Sequence, residues 1–267
     1  MHRRFLEVRH RDRKSLRDGY SPAVRRFEIA SIVVYCGVMA WAVWRLAPLA
    51  PRFPWLMASG FMLGFVLADF VSGVVHWLAD TWGSPDVPVI GQALIRPFRE
   101  HHVDQKEITR HDFIETNGNN CFISIAPAAC GALVALDDAA GIFWATAIFS
   151  VTLWILFTNQ FHKWSHMDAP PRWVVLLQRL NLVLPPDHHT VHHTAPYAKY
   201  YCITVGWLNE PLYRLRFFQT LEWLITALTG LMPREDDIGA RAAREVLEEA
   251  PPAAVPPEPR VAAEPEI

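Results

Sequence analysis

The chain has 267 residues, of which 51% are hydrophobic, and its formal net charge is −2. That length fits one large domain or two small ones, and the hydrophobic fraction is high for a soluble protein. A charge so close to neutral gives no electrostatic reason to expect nucleic-acid binding. The four cysteines lie in or beside apolar stretches without metal-site spacing, so they do not form a disulfide framework.

Four apolar segments follow a basic, polar segment at residues 1–26. They lie at Glu28–Leu49, Trp55–Trp82, Cys121–Leu136 and Gly141–Phe161. The third is short for a span, so we expect it to begin earlier or to be tilted. Because roughly 20 helical residues cross a bilayer, the pattern predicts an all-α integral membrane protein with about four transmembrane helices.

The predicted membrane domain covers residues 27–235. Between its second and third spans, Ser84–Asn120 is a polar loop. Two amphipathic segments, Gln178–Leu184 and Leu215–Leu231, are predicted to lie on the membrane face. Residues 236–267 are rich in Pro, Glu and Ala, a composition that predicts a disordered tail.

All but two of the twelve histidines fall in a few groups beside the ends of the apolar segments. His76 and Asp80 are four residues apart, as are His162 and His166, so each pair shares a helix face. The other grouped histidines are His101, His102, His111, His188, His189, His192 and His193. A single pair is weak evidence for a metal site and solvated interfacial histidines are the alternative, but several groups at one depth predict a metal centre.

The distribution of basic residues gives an independent estimate of topology. Arg and Lys are enriched in cytoplasmic loops, which places the N-terminus and the Ser84–Asn120 loop in the cytoplasm. The acidic turn at Asp137 and Asp138 then lies outside, and every histidine group lies at the cytoplasmic face. The predicted fold is therefore a helical membrane domain with a cytoplasmic histidine-rich cap for two metal ions.

The number and type of ligands favour iron over zinc. One tetrahedral zinc needs only about four protein ligands, and the groups lack the cysteines of structural zinc and iron–sulfur sites. Eight or more histidines with a carboxylate suit two ions, and two irons with open positions for dioxygen fit best. Breaking an unactivated C–H bond of a lipid chain requires such an oxidant, so the pattern predicts a dioxygen-using membrane metalloenzyme.

The segments around the histidines resemble the plasmanylethanolamine desaturase family, whose relatives include bacterial CarF-type light-response proteins and plant plastid lipid desaturases. The resemblance covers roughly Phe61 to Asp237. It is carried by Asp69–Trp82, Arg96–His102, Thr109–Gly118, Thr158–His166, Leu184–His193 and Tyr201–Asn209.

This resemblance implies a reaction and a set of ligands. Two hydrogens are removed across C1–C2 of the sn-1 O-alkyl chain of an ether phospholipid, giving a vinyl ether, while dioxygen is reduced to water. A cytochrome b5 or ferredoxin-type donor with its reductase supplies the electrons. Asp80 is a ligand or orients one, and His111 and His188 are ligands or fix a neighbour's tautomer. The expected iron ligands are His76, His101, His102, His162, His166, His189, His192 and His193.

Three alternatives remain open at this point. Arg96, Arg99 and Arg110, with Lys106, bind the lipid phosphate, or they are ordinary cytoplasmic charge. The reaction is instead the desaturation or hydroxylation of acyl chains in another phospholipid. Alternatively, the chain is a non-catalytic membrane protein that binds metal. The composition of the two ends favours a bacterial inner membrane.

Overall fold

The computed structural model describes residues 22–83, 87, 95–194 and 197–233, apart from the side chains at positions 96, 99, 100 and 103. The predicted tail and most of the basic N-terminal segment lie outside these residues. Within the described ranges the chain is helical and contains no strand, which confirms the all-α prediction. The helices are α1 (Pro22–Leu46), α2 (Pro54–Thr81), α3 (Arg96–Val103), α4 (Phe113–Leu133), α5 (Ala139–His166), α6 (Arg172–Arg179), α7 (Pro186–Thr190), α8 (Asn209–Arg214) and α9 (Phe217–Thr229).

Three of the described helices are long and apolar enough to cross a membrane. They are α1 with its 3-10 extension to Leu49, α2 and α5, which correspond to the first, second and fourth predicted spans. The predicted third span is α4, which is less apolar because its first turns carry Glu115, Asn117 and Asn120. It begins at Phe113 instead of Cys121, so the short predicted segment is extended backwards.

The four long helices pack in the order α1, α4, α5, α2, because α1 contacts α4, α4 contacts α5 and α5 contacts α2. Asp112 caps α4 by accepting hydrogen bonds from the backbone N–H groups of Ile114 and Glu115 at 2.9 and 3.1 Å. Asp138 caps α5 through Gly141. Each cap satisfies backbone donors that a helix start leaves unpaired. The caps therefore fix where both helices begin.

Contacts at the helix ends define two ends of the bundle. At one end, Arg25 at the start of α1 pairs with Asp112 at 2.7 Å, and Lys163 near the end of α5 donates to the carbonyl of His111. At the other end, Arg45 donates to the carbonyl of Val134 at 2.9 Å. The starts of α1 and α4 thus lie beside the end of α5, and we call this the histidine end.

Two shorter helices present apolar side chains outwards. In α6, Val174 is buried while Trp173 is exposed. In α9, Phe218 is buried, Leu228 is 83% exposed, and Glu222 accepts a 2.8 Å hydrogen bond from Trp77 Nε1 of α2. Outward-facing apolar side chains of this kind favour contact with a membrane surface.

The structure shifts one of the two predicted amphipathic segments. α6 ends at Arg179, so its helix precedes most of the predicted Gln178–Leu184 segment. The reason is local: Asn181 adopts a left-handed conformation at φ 53°, which terminates the helix.

Candidate metal centre

The last turns of α2 carry the first candidate ligands, His76 and Asp80. Four residues apart on a helix, they lie on one face. Their exposed fractions are 0% and 7%, and His76 Nε2 lies 3.2 Å from Asp80 Oδ2. The end of α2 therefore directs one nitrogen and one carboxylate oxygen to the same buried point.

The end of α5 repeats this spacing with two imidazoles. α5 continues beyond the predicted end of the span at Phe161, so His162 and His166 belong to the spanning helix itself. Their Nε2 atoms are 3.1 Å apart, and both side chains are buried. The two helices in contact, α2 and α5, thus bring their ligand-bearing ends together.

The short helix α3 separates two histidines that are adjacent in the sequence. Successive residues of an α-helix point about 100° apart. His101 Nε2 lies 2.9 Å from His166 Nε2, whereas His102 Nε2 lies 3.0 Å from His192 Nε2. One helix therefore supplies an imidazole to each of two groups of ligands.

The last histidine segment, at and after α7, is divided in the same way. His189 Nε2 lies 2.8 Å from His162 Nε2 and 2.9 Å from His193 Nε2, so the pair spaced by four residues stays together. His192 instead faces His102. His188, which has the same spacing to His192, does not join it.

Two groups of candidate ligands result, and in each the ligand atoms all lie within 4.8 Å of one another. Cluster 1 consists of His101, His162, His166, His189 and His193. Cluster 2 consists of His76, Asp80, His102 and His192. The clusters are neighbours, since the ring centroids of His102 and His193 are 5.4 Å apart and those of His76 and His162 are 6.2 Å apart.

Hydrogen bonds alone cannot satisfy the nitrogens of cluster 1. The Nε2 of a neutral imidazole has either one hydrogen or one lone pair. His162, His166 and His189 each make two Nε2–Nε2 contacts, at 2.8–3.1 Å. One cation among these atoms would take a lone pair from every ring, so the donor set fits a metal ion.

The surroundings keep the imidazoles in the form that binds metal. Burial lowers the pKa of His101, His189 and His193, and the neighbouring histidines lower it further. These rings are therefore neutral at physiological pH, and a neutral imidazole keeps the lone pair that a metal requires.

Backbone carbonyls fix the tautomers of two rings in cluster 2. His76 Nδ1 lies 3.0 Å from the carbonyl oxygen of Tyr201, and His192 Nδ1 lies 3.0 Å from that of Lys199. A carbonyl only accepts, so each Nδ1 carries the hydrogen and each Nε2 presents its lone pair. These Nε2 atoms face Asp80 Oδ2 at 3.2 and 3.5 Å.

Two of the histidines predicted as possible ligands lie outside both clusters. His111 Nε2 is 3.6 Å from Glu115 Oε1, and the His111 side chain is 31% exposed. His188 stacks on Tyr200 with ring centroids 4.8 Å apart, and its Nε2 lies 3.0 Å from Asn209 Nδ2. Among the described residues, neither belongs to a group of three or more candidate ligands.

The predicted phosphate-binding arginines are only partly described. The side chains of Arg96 and Arg99 lie outside the described residues. The half-exposed Arg110 donates to Asp104 at 2.8 Å.

The sequence analysis did not identify the groups that orient the ligands. Tyr197 stacks on His102 with ring centroids 4.8 Å apart and an interplanar angle of 14°. Tyr201 and Lys199 act through their backbone carbonyls. Any residue type has a carbonyl, so no sequence signal marks these positions.

Comparison with known proteins identifies the family. A family model described as a lipid desaturase domain matches residues 65–236. The plasmanylethanolamine desaturase of Myxococcus xanthus is 55% identical over 241 residues, covering 90% of this chain and 86% of the relative. Plasmanylethanolamine desaturase 1 of Mus musculus is 44% identical over 239 residues, covering 86% and 88%.

A plant protein is more distant. The chloroplastic fatty acid desaturase 4 of Arabidopsis thaliana is 35% identical over 175 residues, covering 64% of this chain and 52% of the relative. No solved structure matches the chain. The domain match includes every residue of both clusters. The chain therefore belongs to the lipid desaturase family.

Proposed function

We propose that this protein is a plasmanylethanolamine desaturase, which introduces a C1–C2 double bond into the sn-1 O-alkyl chain of an ether phospholipid. The observation that carries the proposal is the pair of adjacent buried histidine clusters at one end of an apolar helix bundle. The two relatives of that name, which align over most of the chain, support the choice of substrate.

Each cluster holds one iron in this proposal. The five imidazoles of cluster 1 and the three imidazoles and one carboxylate of cluster 2 exceed what a single zinc requires. They suit two ions that keep positions open for dioxygen. Two irons with dioxygen supply an oxidant strong enough to remove hydrogen from an unactivated C–H bond, which no side chain can do.

The chain's own residues hold and enclose the reacting groups. Tyr201 and Lys199 orient the rings of His76 and His192. Burial keeps bulk water away from the site, which limits side reactions of reactive species. The overall change balances when one alkyl ether, one dioxygen, two electrons and two protons give one vinyl ether and two waters.

The substrate enters from the membrane and the electrons from the cytoplasm. Because α2 and α5 carry candidate ligands at their ends, we propose that an alkyl chain of the inner leaflet approaches the clusters from the apolar phase. Arg96, Arg99 and Arg110 are proposed to contact the lipid phosphate. The Arg110 guanidinium would do so while it also donates a hydrogen bond to Asp104. A cytochrome b5 or ferredoxin-type donor with its reductase delivers the electrons at the cytoplasmic face of a bacterial inner membrane.

The test is expression in a host that makes alkyl ether lipids, lacks vinyl ethers and contains a suitable reductase. We expect acid-labile vinyl ether lipids, two mass units lighter than their precursors, from the native chain and none from a His162→Ala variant. Purified native protein should contain about two irons, as two clusters with iron-type ligands predict.

Other outcomes identify the competing functions. A gain of one oxygen atom would indicate a hydroxylase, and loss of two mass units confined to acyl chains would indicate an acyl desaturase. Native protein loaded with two irons and supplied with electrons that forms no vinyl ether would refute the proposed substrate. Zinc in place of iron would favour the non-catalytic alternative.

A further inference from the structure

Asp69 is a carboxylate on the spanning helix α2 that belongs to neither cluster. Its exposed fraction is 0%, and it lies two helical turns before His76. A buried charge is costly unless it is paired or hydrogen-bonded. The hydrogen bonds of Asp69 therefore indicate the structural role of its side chain.

Hydrogen bonds from the backbone amides of a single segment compensate the cost of burying the Asp69 carboxylate. Asp69 Oδ1 accepts hydrogen bonds from the N–H groups of Val205 and Gly206, both at 2.9 Å, and Oδ2 accepts one from Leu208 at 3.1 Å. Gly206 has φ +78°, a left-handed conformation that glycine adopts readily, and it turns the neighbouring amides towards one point. Asp69 thus anchors one end of residues 201–208.

The same segment runs antiparallel along the face of α2 that leads to His76. Ser72 Oγ accepts a 3.0 Å hydrogen bond from the N–H of Ile203. At Gly73 the segment approaches so closely that a Cβ would lie 2.5 Å from the Cys202 Sγ and 3.3 Å from the Cys202 backbone nitrogen. Residues 69, 72, 73 and 76 recur at the spacing of one helix face, so one face of α2 sets the register of the segment.

The far end of this segment orients a candidate ligand. The carbonyl of Tyr201 accepts from His76 Nδ1 at 3.0 Å, which directs His76 Nε2 towards Asp80. The segment also supports the last histidines, because the carbonyl of Thr204 accepts from the N–H of Leu184 at 3.2 Å, just before α7. A displacement at Val205 and Gly206 would therefore be transmitted to both parts of the metal centre.

We propose that Asp69 is a positioning residue that sets the register of residues 201–208 against α2 and thereby holds His76 in the orientation that cluster 2 requires. Asp69 itself contacts neither metal nor substrate. The inference rests on the proposed function only in taking cluster 2 as an iron site.

The test uses two variants that disturb the segment from different sides. Asp69→Asn keeps one oxygen for Val205 and Gly206 but removes the charge and turns an N–H₂ group towards the N–H of Leu208. Gly73→Ala leaves Asp69 intact and pushes Cys202 outwards. Ser150→Ala is the matched control, because Ser150 is 0% exposed and its Oγ donates at 2.6 Å to the Phe61 carbonyl in the same α2–α5 contact, away from the segment.

The measurement is anaerobic titration of iron-free, detergent-purified full-length protein with Fe(II), followed by Mössbauer spectroscopy. Native protein and Ser150→Ala should take up two equivalents. Both test variants should bind one equivalent normally and the second about 10- to 100-fold more weakly, the usual effect of losing a group that orients a ligand.

The outcomes separate this inference from the proposed function. Uptake of two equivalents with native affinity and spectrum by Asp69→Asn would overturn the positioning role of Asp69. If Asp69→Asn fails to fold, Gly73→Ala decides whether the register of residues 201–208 controls cluster 2, and native uptake by that variant would overturn this step of the proposal. Native protein that binds no Fe(II) would instead refute the proposed function, whatever the variants do.

Discussion

At the scale of single residues, histidines that are neighbours in the sequence do not share a cluster. His101 and His102 belong to different clusters, and so do His192 and His193. The helical geometry of α3 explains the first separation. Residues far apart in the chain, such as His101 and His166, instead face each other at 2.9 Å. The ligand roles therefore depend on which face of an element each ring occupies.

This separation predicts different consequences for two histidine variants. His101→Ala removes an imidazole from cluster 1, so we expect iron content to fall and desaturation to drop by about 100-fold or more. His111 lies outside both clusters, so His111→Ala should keep both irons and stay within about threefold of native activity. Iron analysis and vinyl ether formation measure both effects. Iron loss in His111→Ala equal to that in His101→Ala would contradict the assignment.

At the scale of helices, the contact between α2 and α5 sets the relative position of four of the nine candidate ligands. α2 carries His76 and Asp80, and α5 carries His162 and His166. Their backbones approach closely at Gly64, where a Cβ would lie 2.4 Å from the carbonyl oxygen of Ala147. Small residues allow such close approach between membrane helices.

Enlarging this glycine should therefore disturb both stability and the metal centre. We expect Gly64→Ala to lower the free energy of unfolding by about 1–3 kcal/mol through overpacking, and to reduce the iron content. Gly37→Ala is the control, since nothing lies within 4 Å of the added Cβ and alanine favours the helix. Thermal unfolding of the detergent-solubilised proteins measures the difference. A Gly64→Ala protein as stable as Gly37→Ala would contradict the role of this contact.

At the scale of the whole molecule, the described histidine clusters and several cationic residues lie at one end of the bundle. The opposite end carries the acidic turn at Asp137 and Asp138 and the contact of Arg45 with Val134. Since positive charge remains in the cytoplasm, this polarity predicts a cytoplasmic metal centre. The cationic residues at the histidine end include Arg25, Lys106, Arg110 and Lys163.

Cysteine labelling tests that orientation. In a background with Cys36 and Cys130, the exposed cysteines, changed to serine, Asp137→Cys should react with a membrane-impermeant maleimide in intact spheroplasts. Ala169→Cys, just beyond the end of α5, should react only after the membrane is permeabilised. The reverse pattern would show that the metal centre faces the other side.

The sequence by itself determined the all-α class, the approximate spans and the candidate ligands, because hydrophobicity and helical spacing are local properties. It placed α2 almost to the residue, since Pro54 and the polar stretch after Trp82 bound one apolar run. It misplaced the starts of α1 and α4, whose first turns are polar and are held by a tertiary pair between Arg25 and Asp112.

Only the tertiary structure decided how the ten grouped histidines divide, which two stand apart, and what holds the rings in place. The division of the histidines depends on helix packing. The orientation of His76 depends on the backbone carbonyl of Tyr201, which lies 125 residues later in the chain. A backbone group has no residue identity, so no local pattern could reveal it. Asp69 differs from these backbone groups because a carboxylate in an apolar segment is visible in the sequence. Its partners are nevertheless backbone amides, which only folding brings to it.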